Sequence, residues 1–201
     1  MLDDPEIDAV LIATPARTHA ELVAAAARAG KHVFCEKPMA ITLEEADHAI
    51  AAARSAGVVL QVGFNRRFAR GFAAALAAIA AGEIGTPQLI RSLTRDPSPL
   101  RDPSGIPPWT IYLETLIHDF DTLLHCNPGA KPVEVYAIAD ALVRPDFKDK
   151  GLLDTSVVTI RFDNGAIAVA DASFEAVYGY DVRAEVFGSC LLYTSPSPRD
   201  A

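Results

Sequence analysis

Three short, nearly continuous apolar runs, the first two each followed by a helical stretch, constrain the first third of this chain more than any other feature. Ala9 to Thr14 (AVLIAT) is stopped by Pro15, and Thr18 then opens an alanine-rich helical stretch to Ala29 that closes at Gly30. His32 to Cys35 (HVFC) repeats the step. Thr42 caps a second helix, with Glu45 three residues on as in a capping box, and this helix runs to about Ala56 before Gly57. Val58 to Val62 (VVLQV) is the third run, with Gly63 behind it. Strands this apolar, alternating with helices, predict a parallel sheet covered on both faces.

The pattern changes after residue 65. A helix over about Phe72 to Ala81, stopped by Gly82, leads to a run at Gln88 to Thr94 and then to Asp96 to Pro108, a loop holding five prolines. A helix from about Tyr112 to His125 follows. Val133 to Ala139, Ser156 to Phe162 and Ala166 to Phe174 then alternate with period two, and Asp163-Asn164-Gly165 between the last two marks a hairpin. Arg183 to Phe187 reads as a final strand. The expected fold is α/β: a partial, Rossmann-type doubly wound parallel sheet over residues 1–65, then an α+β domain with a mostly antiparallel sheet over 66–189. Residues 190–201, with Ser195-Pro196-Ser197-Pro198, have a linker-like composition and no alternation to bury, so they are expected to be a non-native tail.

Charge narrows the partners. Lys and Arg total 18 against 26 Asp and Glu, a formal charge of -8, the wrong sign for a phosphate backbone, so no nucleic acid is expected. The longest apolar run, Phe72 to Ala81, falls well short of the roughly 18 residues of a membrane span, so no membrane partner is expected either. Cys35, Cys126 and Cys190 form no C-x-x-C pair, and their odd number fits a reducing compartment, with the cytoplasm as default.

Several residues are candidates for chemistry. Lys37 and Pro38 lie just past the end of the second parallel strand, at the edge where open α/β sheets bind ligands; Lys37 reaches a ligand oxygen there or is an ordinary surface lysine. The Lys37-Pro38 bond is a candidate for the cis form. Glu114, His118, Asp121, Thr122 and His125 recur at steps of three and four on the later helix. Glu114 and His118 are i, i+4 neighbours, the arrangement by which a carboxylate orients a general base; a solvated helix face has the same spacing. A metal site from His118, Asp121 and His125, with Cys126 beside them, is a third reading, although no H-E-x-x-H accompanies it. Arg66 and Arg67, after the third strand, are either a clamp for an anionic or polyhydroxylated ligand or exposed charges. Arg95 and Asp96 stand at the mouth of the proline-rich loop, and Tyr178-Gly179-Tyr180-Asp181 is an aromatic turn. No two of the twelve glycines are separated by a single residue, so there is no G-x-G turn and no Walker loop.

Ala13-Thr14-Pro15 to His19, Glu36-Lys37-Pro38, Asn65-Arg66-Arg67-Phe68, Thr94-Arg95-Asp96-Pro97, Ile117-His118-Asp119-Phe120-Asp121 and Tyr178-Gly179-Tyr180-Asp181 occur in that order. With them, the chain resembles the Gfo/Idh/MocA oxidoreductase family from about Asp3 to Ser189, most of all its inositol 2-dehydrogenases. The resemblance implies NAD or NADP as cofactor, an inositol or related polyol or sugar as substrate, and a homo-oligomer, dimer or tetramer, built through the second sheet. It implies Lys37 between the nicotinamide ribose and the substrate hydroxyl, and His118 as general base with Glu114 where the inositol enzymes usually carry aspartate. Thr14, Pro15, His19, Glu36, Pro38 and Asn65 then match the cofactor side, and Arg67, Asp96 and Tyr180 the substrate side; no metal is implied. Members of the family begin with a strand and a G-x-G-x-x-G turn, about 60 residues ahead of Asp3. The chain is therefore expected to be a fragment lacking both ends, and inactive by itself. A catalytically silent sugar-binding module and a metal-dependent hydrolase are the competing readings.

Overall fold

A computed structural model describes residues 1–97, 106–174 and 176–195. Part of the expected proline-rich loop and the Ser-Pro segment from Pro196 onward lie outside the described residues. The chain divides into two compact units, Met1–Phe64 and Asn65–Ala201.

In the first unit, β1 (Ala9–Ile12), β2 (His32–Cys35) and β3 (Leu60–Val62) pair in parallel in that order, with Leu11 opposite Phe34 and Phe34 opposite Gln61. A 3-10 turn at Ala16–Thr18 leads into α1 (His19–Arg28), and α2 (Leu43–Ala56) follows β2. Thr42 and Glu45 form the reciprocal capping box, Thr42 Oγ1 accepting from Glu45 N at 3.2 Å and Glu45 Oε2 from Thr42 N at 3.2 Å. Gly57 ends α2 in the left-handed region (φ 66°), where a side chain would meet its own backbone. The core joins Val10, Ile12, Val33 and Cys35 to Ala20, Val23 and Ala26 of α1 and Ala49 of α2.

All of these inward residues lie on one face of the sheet. The other face, carrying Leu11, Phe34 and Val59, is exposed, Leu11 to 70%. The parallel, Rossmann-type sheet is as expected, with both helices of residues 1–64 on one of its faces. Strands laid side by side in chain order, joined by crossovers of one hand, send every connecting helix to the same side.

In the second unit, α3 (Arg70–Ala80) precedes β4 (Pro87–Asp96). A π-helical turn (Ile111–Leu116) runs into α4 (Ile117–His125), and β5 (Pro132–Asp140), β6 (Thr155–Phe162), β7 (Ile167–Phe174), β8 (Asp181–Gly188) and β9 (Leu192–Ser195) complete a six-stranded sheet. The order is β5-β6-β7-β4-β8-β9, antiparallel throughout except for β4 beside β7. The inner face offers Ile90, Val158, Ile160, Phe162, Phe174 and Val186, with the small Ala168, Ala170 and Ala172 along β7, against Ile111, Leu116 and Leu123. Each fully buried Ile, Leu or Phe side chain contributes roughly 1.5–3 kcal/mol, so this cluster dominates the stability of the unit. The outer face mixes apolar side chains with cross-strand pairs: Arg91 with Glu185 at 3.1 Å, Arg161 Nε donating to Glu134 at 2.7 Å, and Arg95 with Asp171.

Two features differ from the sequence expectation. The helix expected over Tyr112 to His125 is π-helical in its first part, a wider turn often found at functional sites. The tail from Cys190, expected to carry no strand, supplies β9: Leu192 pairs with Phe187, and Tyr193 packs against the core and donates its hydroxyl to Gly71 O at 3.2 Å. An otherwise open edge of β8 and one well-placed aromatic ring outweigh four residues of weak pattern.

Candidate functional site

The first unit gathers its candidate residues at the carboxyl edge of the parallel sheet. Beyond β1, the Thr14 and Thr18 hydroxyls are 2.7 Å apart, and Thr18 Oγ1 donates to Pro15 O at 2.8 Å, shaping the turn into α1. Beyond β2, Glu36 and Lys37 are half-buried, Pro38 is buried, and the Lys37-Pro38 bond is cis. Beyond β3, Gly63 lies so close to β2 that a Cβ there would stand 3.1 Å from the Phe34 ring and 3.2 Å from the Glu36 carboxylate. His19, at the start of α1, is 2% exposed, with Nδ1 2.7 Å from Pro38 O and Nε2 2.7 Å from Thr14 O. Thr14, His19 and Pro38 are thus brought together through one imidazole, with Pro15 next along the chain bonded by Thr18. Cys35, under the same edge, has its thiol pushed up to about 11 by burial and by the Glu36 carboxylate.

The second unit builds its candidates from the 3-10 turn Asn65–Phe68 and from α4. Asn65 is exposed. Arg66, left open by its sequence position as a ligand clamp or an exposed charge, is neither. It is 7% exposed and donates from Nη1 to Asp119 Oδ1 at 2.8 Å and from Nη2 to Thr94 Oγ1 at 2.6 Å. Asp119, completely buried, also accepts from Ser92 Oγ at 2.6 Å and Thr94 Oγ1 at 2.8 Å. Burial pushes the Asp119 carboxyl up, and Arg66 and the two hydroxyls oppose that shift. The network was not singled out from the sequence, although a signal exists: Ser92 and Thr94 are polar residues on the inward register of β4, beside Ile90, where only a polar partner makes them tolerable.

Arg67 forms the neighbouring bidentate pair, Nε donating to Asp121 Oδ2 at 2.9 Å and Nη2 to Oδ1 at 2.5 Å. The Asp121 carboxylate holds the guanidinium above its ordinary value. Two consecutive arginines thus hold two alternate aspartates, fastening the helix on either side of Phe120 and directly after His118. His118 is half-buried with its Nδ1 inside the protein, and its carbonyl accepts from Thr122 Oγ1 at 2.8 Å. Glu114 lies one turn earlier, within the π-helical segment. His125 is exposed, and burial pushes the Cys126 thiol up to about 12. With Asp121 committed to Arg67, the set His118, Asp121, His125 offers little to a cation; among the described residues no group of three His, Cys, Asp or Glu is placed to hold one.

Asp96 ends β4, and its carbonyl accepts from Ala176 N at 3.0 Å. Tyr180 is half exposed just before β8, whose first residue Asp181 lies opposite Arg95. Asp96 and Tyr180 therefore share one end of the second sheet. Asp181 is held by Arg183 at 2.9 and 2.8 Å, which fixes the start of β8.

Comparison with known proteins bears on both units. Residues 1–64 match the family described as "Oxidoreductase family, NAD-binding Rossmann fold", and residues 72–190 match "GFO/IDH/MocA C-terminal domain". An uncharacterized Bacillus subtilis oxidoreductase, YrbE, is 47% identical over 194 residues, covering 94% of this chain and 55% of its own. A Thermotoga maritima myo-inositol 2-dehydrogenase is 44% identical over 194 residues, covering 94% and 56%. The crystal structure of scyllo-inositol dehydrogenase from Lactobacillus casei, with bound NAD(H) and scyllo-inositol, superposes with a TM-score of 0.89 at 29% identity, covering 97% of this chain and 59% of that one. The chain thus spans little more than half the length of the curated relatives it matches. Among the described residues no helix is long and apolar enough to cross a membrane. A model that matches more than half of the residues, joined to a second model over the first unit, places this chain in the Gfo/Idh/MocA oxidoreductase family, as an NAD-binding Rossmann unit followed by the family's carboxy-terminal domain.

Proposed function

We propose that the enzyme carrying this chain oxidises a secondary hydroxyl of an inositol, or of a related polyol or sugar, to a ketone. The observation that carries the reading is the position of Lys37, in the turn at the carboxyl edge of a parallel sheet that belongs to an NAD-binding fold. The names of the relatives, myo-inositol and scyllo-inositol dehydrogenases, supply the substrate class.

The residues at this edge fit the nicotinamide end of NAD or NADP. Gly63 leaves the backbone bare beside the Glu36 carboxylate, and Thr14, Pro15, Glu36, Pro38 and Asn65 are proposed to line that side. When bound, the nicotinamide supplies the hydride acceptor. Lys37 would donate to the substrate oxygen and stabilise the negative charge that grows there. His118 would take the hydroxyl proton, with Glu114 orienting its ring. One base and one cation near the developing alkoxide suffice for oxidation of a secondary alcohol, so the reading needs no metal. Arg67, held by Asp121, together with Asp96 and Tyr180, would bind the remaining hydroxyls. The outer face of the second sheet is proposed as the surface through which copies associate, and the cytoplasm as the compartment, in keeping with the free thiols of Cys35, Cys126 and Cys190. Residues 1–201 alone are proposed to be inactive, since they contain no G-x-G turn.

Inositol-dependent NADH formation by an enzyme in which this chain follows a G-x-G-x-x-G unit tests the reading. Lys37→Ala and His118→Ala should each lower kcat/KM by about 10²–10⁴-fold. Wild-type-like rates in both would remove the mechanism, and polyol binding without turnover in the unmutated enzyme would favour a silent binding module.

A further inference from the structure

We propose that His19 is a positioning residue for Lys37, acting as a doubly protonated imidazole that ties the turn beyond β1 to the turn beyond β2. Its ring is 2% exposed, and its two nitrogens each lie 2.7 Å from a main-chain carbonyl oxygen, Pro38 O for Nδ1 and Thr14 O for Nε2. Carbonyl oxygens only accept. A neutral imidazole has a single N–H, so it would satisfy one contact and press a lone pair against the other oxygen; only the imidazolium donates to both. Turning the ring over does not remove the conflict. It would set ring carbons 2.7 Å from both oxygens, well inside the roughly 3.3–3.6 Å of a C–H···O contact.

Chemistry follows from where the bonds end. Pro38 is the residue after Lys37, so one of the two bonds fixes the segment from which the lysine projects. The other fixes Thr14, whose hydroxyl meets Thr18 one residue before His19. One proton thus couples two turns of the same sheet edge that are distant in sequence. The elements packed against α1 are the 3-10 turn Ala16–Thr18, β1, β2 and α2. The turn carries Arg17, α1 itself carries Glu21, the β2 turn carries Glu36 and Lys37, and the start of α2 carries Glu44 and Glu45. The positive end of α1 opposes a charge at His19, and the two carbonyl dipoles aimed at the ring counter it.

The inference rests on the proposed role of Lys37 but is tested without cofactor or substrate. In the 201-residue chain labelled with ¹⁵N-histidine, His19 is assigned by replacing His32, His48, His118 and His125 in turn with Gln. Both His19 ring nitrogens should give N–H-type signals near neutral pH, about 7, protected from solvent exchange. On raising the pH until one proton leaves, the backbone amides of Thr14 and Lys37 should shift with the same inflection, which His19→Gln should abolish. One N–H-type and one unprotonated nitrogen near pH 7, or a His19 titration that leaves the Lys37 amide unmoved, would overturn the proposal. Should His19→Gln not fold, the wild-type spectra alone decide between these outcomes. Loss of the clamp would leave the role of Lys37 standing, and an active Lys37→Ala enzyme would leave the clamp standing.

Discussion

Among the described residues the two sheets each leave one face exposed, and the two faces differ in charge. The exposed face of the three-stranded parallel sheet carries Leu11 and Phe34 in neighbouring strands and Val59 just before β3, beside the uncharged polar Gln61 and the imidazole of His32, with no Asp, Glu, Lys or Arg in its strands. The outer face of the six-stranded sheet interleaves its apolar residues with the pairs Arg91–Glu185, Arg161–Glu134 and Arg95–Asp171. The polar groups near the candidate sites are fixed just as differently. In the first unit one imidazole binds main-chain carbonyls, whereas in the second consecutive arginines bind helix aspartates. A face without charges needs a cover in any longer protein, while a face with crossed ion pairs tolerates water and sets a register for whatever meets it.

The largest effect that would sharpen this contrast is expected from Asp119→Ala. It leaves Arg66 buried without its carboxylate, a change that costs about 3–5 kcal/mol. Urea unfolding followed separately in each unit should show the second unit destabilised and the first unchanged; a common shift would mean that the two do not melt independently. A middle-sized effect concerns alkali. The folded-state values of Cys35, about 11, and Cys126, about 12, exceed the ordinary 9.0. The stability linked to each thiol is therefore complete below pH 9.0 and is lost as the pH rises through the raised value. In a Cys190→Ser background, a thiol reagent should label Cys35 at lower pH than Cys126, and equal onset would erase the difference between the two cores. The smallest effect is expected from Leu11→Lys on the bare face. With a side chain so exposed, stability should change by no more than about 0.5 kcal/mol, while aggregation and binding of an apolar dye fall. A loss of several kcal/mol would show that the face is packed in the free chain.

Much of this was legible where local chemistry decides. Thr42 and Glu45 announce the capping box, Gly57 the left-handed end of α2, and Asp163-Asn164-Gly165 the hairpin, because each turn has few residues that satisfy it. Motif order led to the family, and the matches to both units support that reading. What stayed hidden depends on groups far apart in the chain. The one-sided helices follow from strand order, the Arg66–Asp119 pair joins positions 53 residues apart, and the imidazole of His19 finds its second carbonyl 19 residues away. The π-helical turn before α4 hides for another reason, since its residues show the same three-and-four spacing as an ordinary helix.

The placement of β4 in the middle of the second sheet bears on how the chain is made. Its neighbours are β7 and β8, which begin at Ile167 and Asp181, while β4 itself ends at Asp96. During synthesis the three strands of the first unit can pair as soon as Val62 has emerged, each beside the one before it. The central strand of the second unit must wait, with both edges open, until most of the remaining residues have left the ribosome. Its pairing is non-local and therefore slow. Until then both edges of β4 are open to pairing with a strand of another copy.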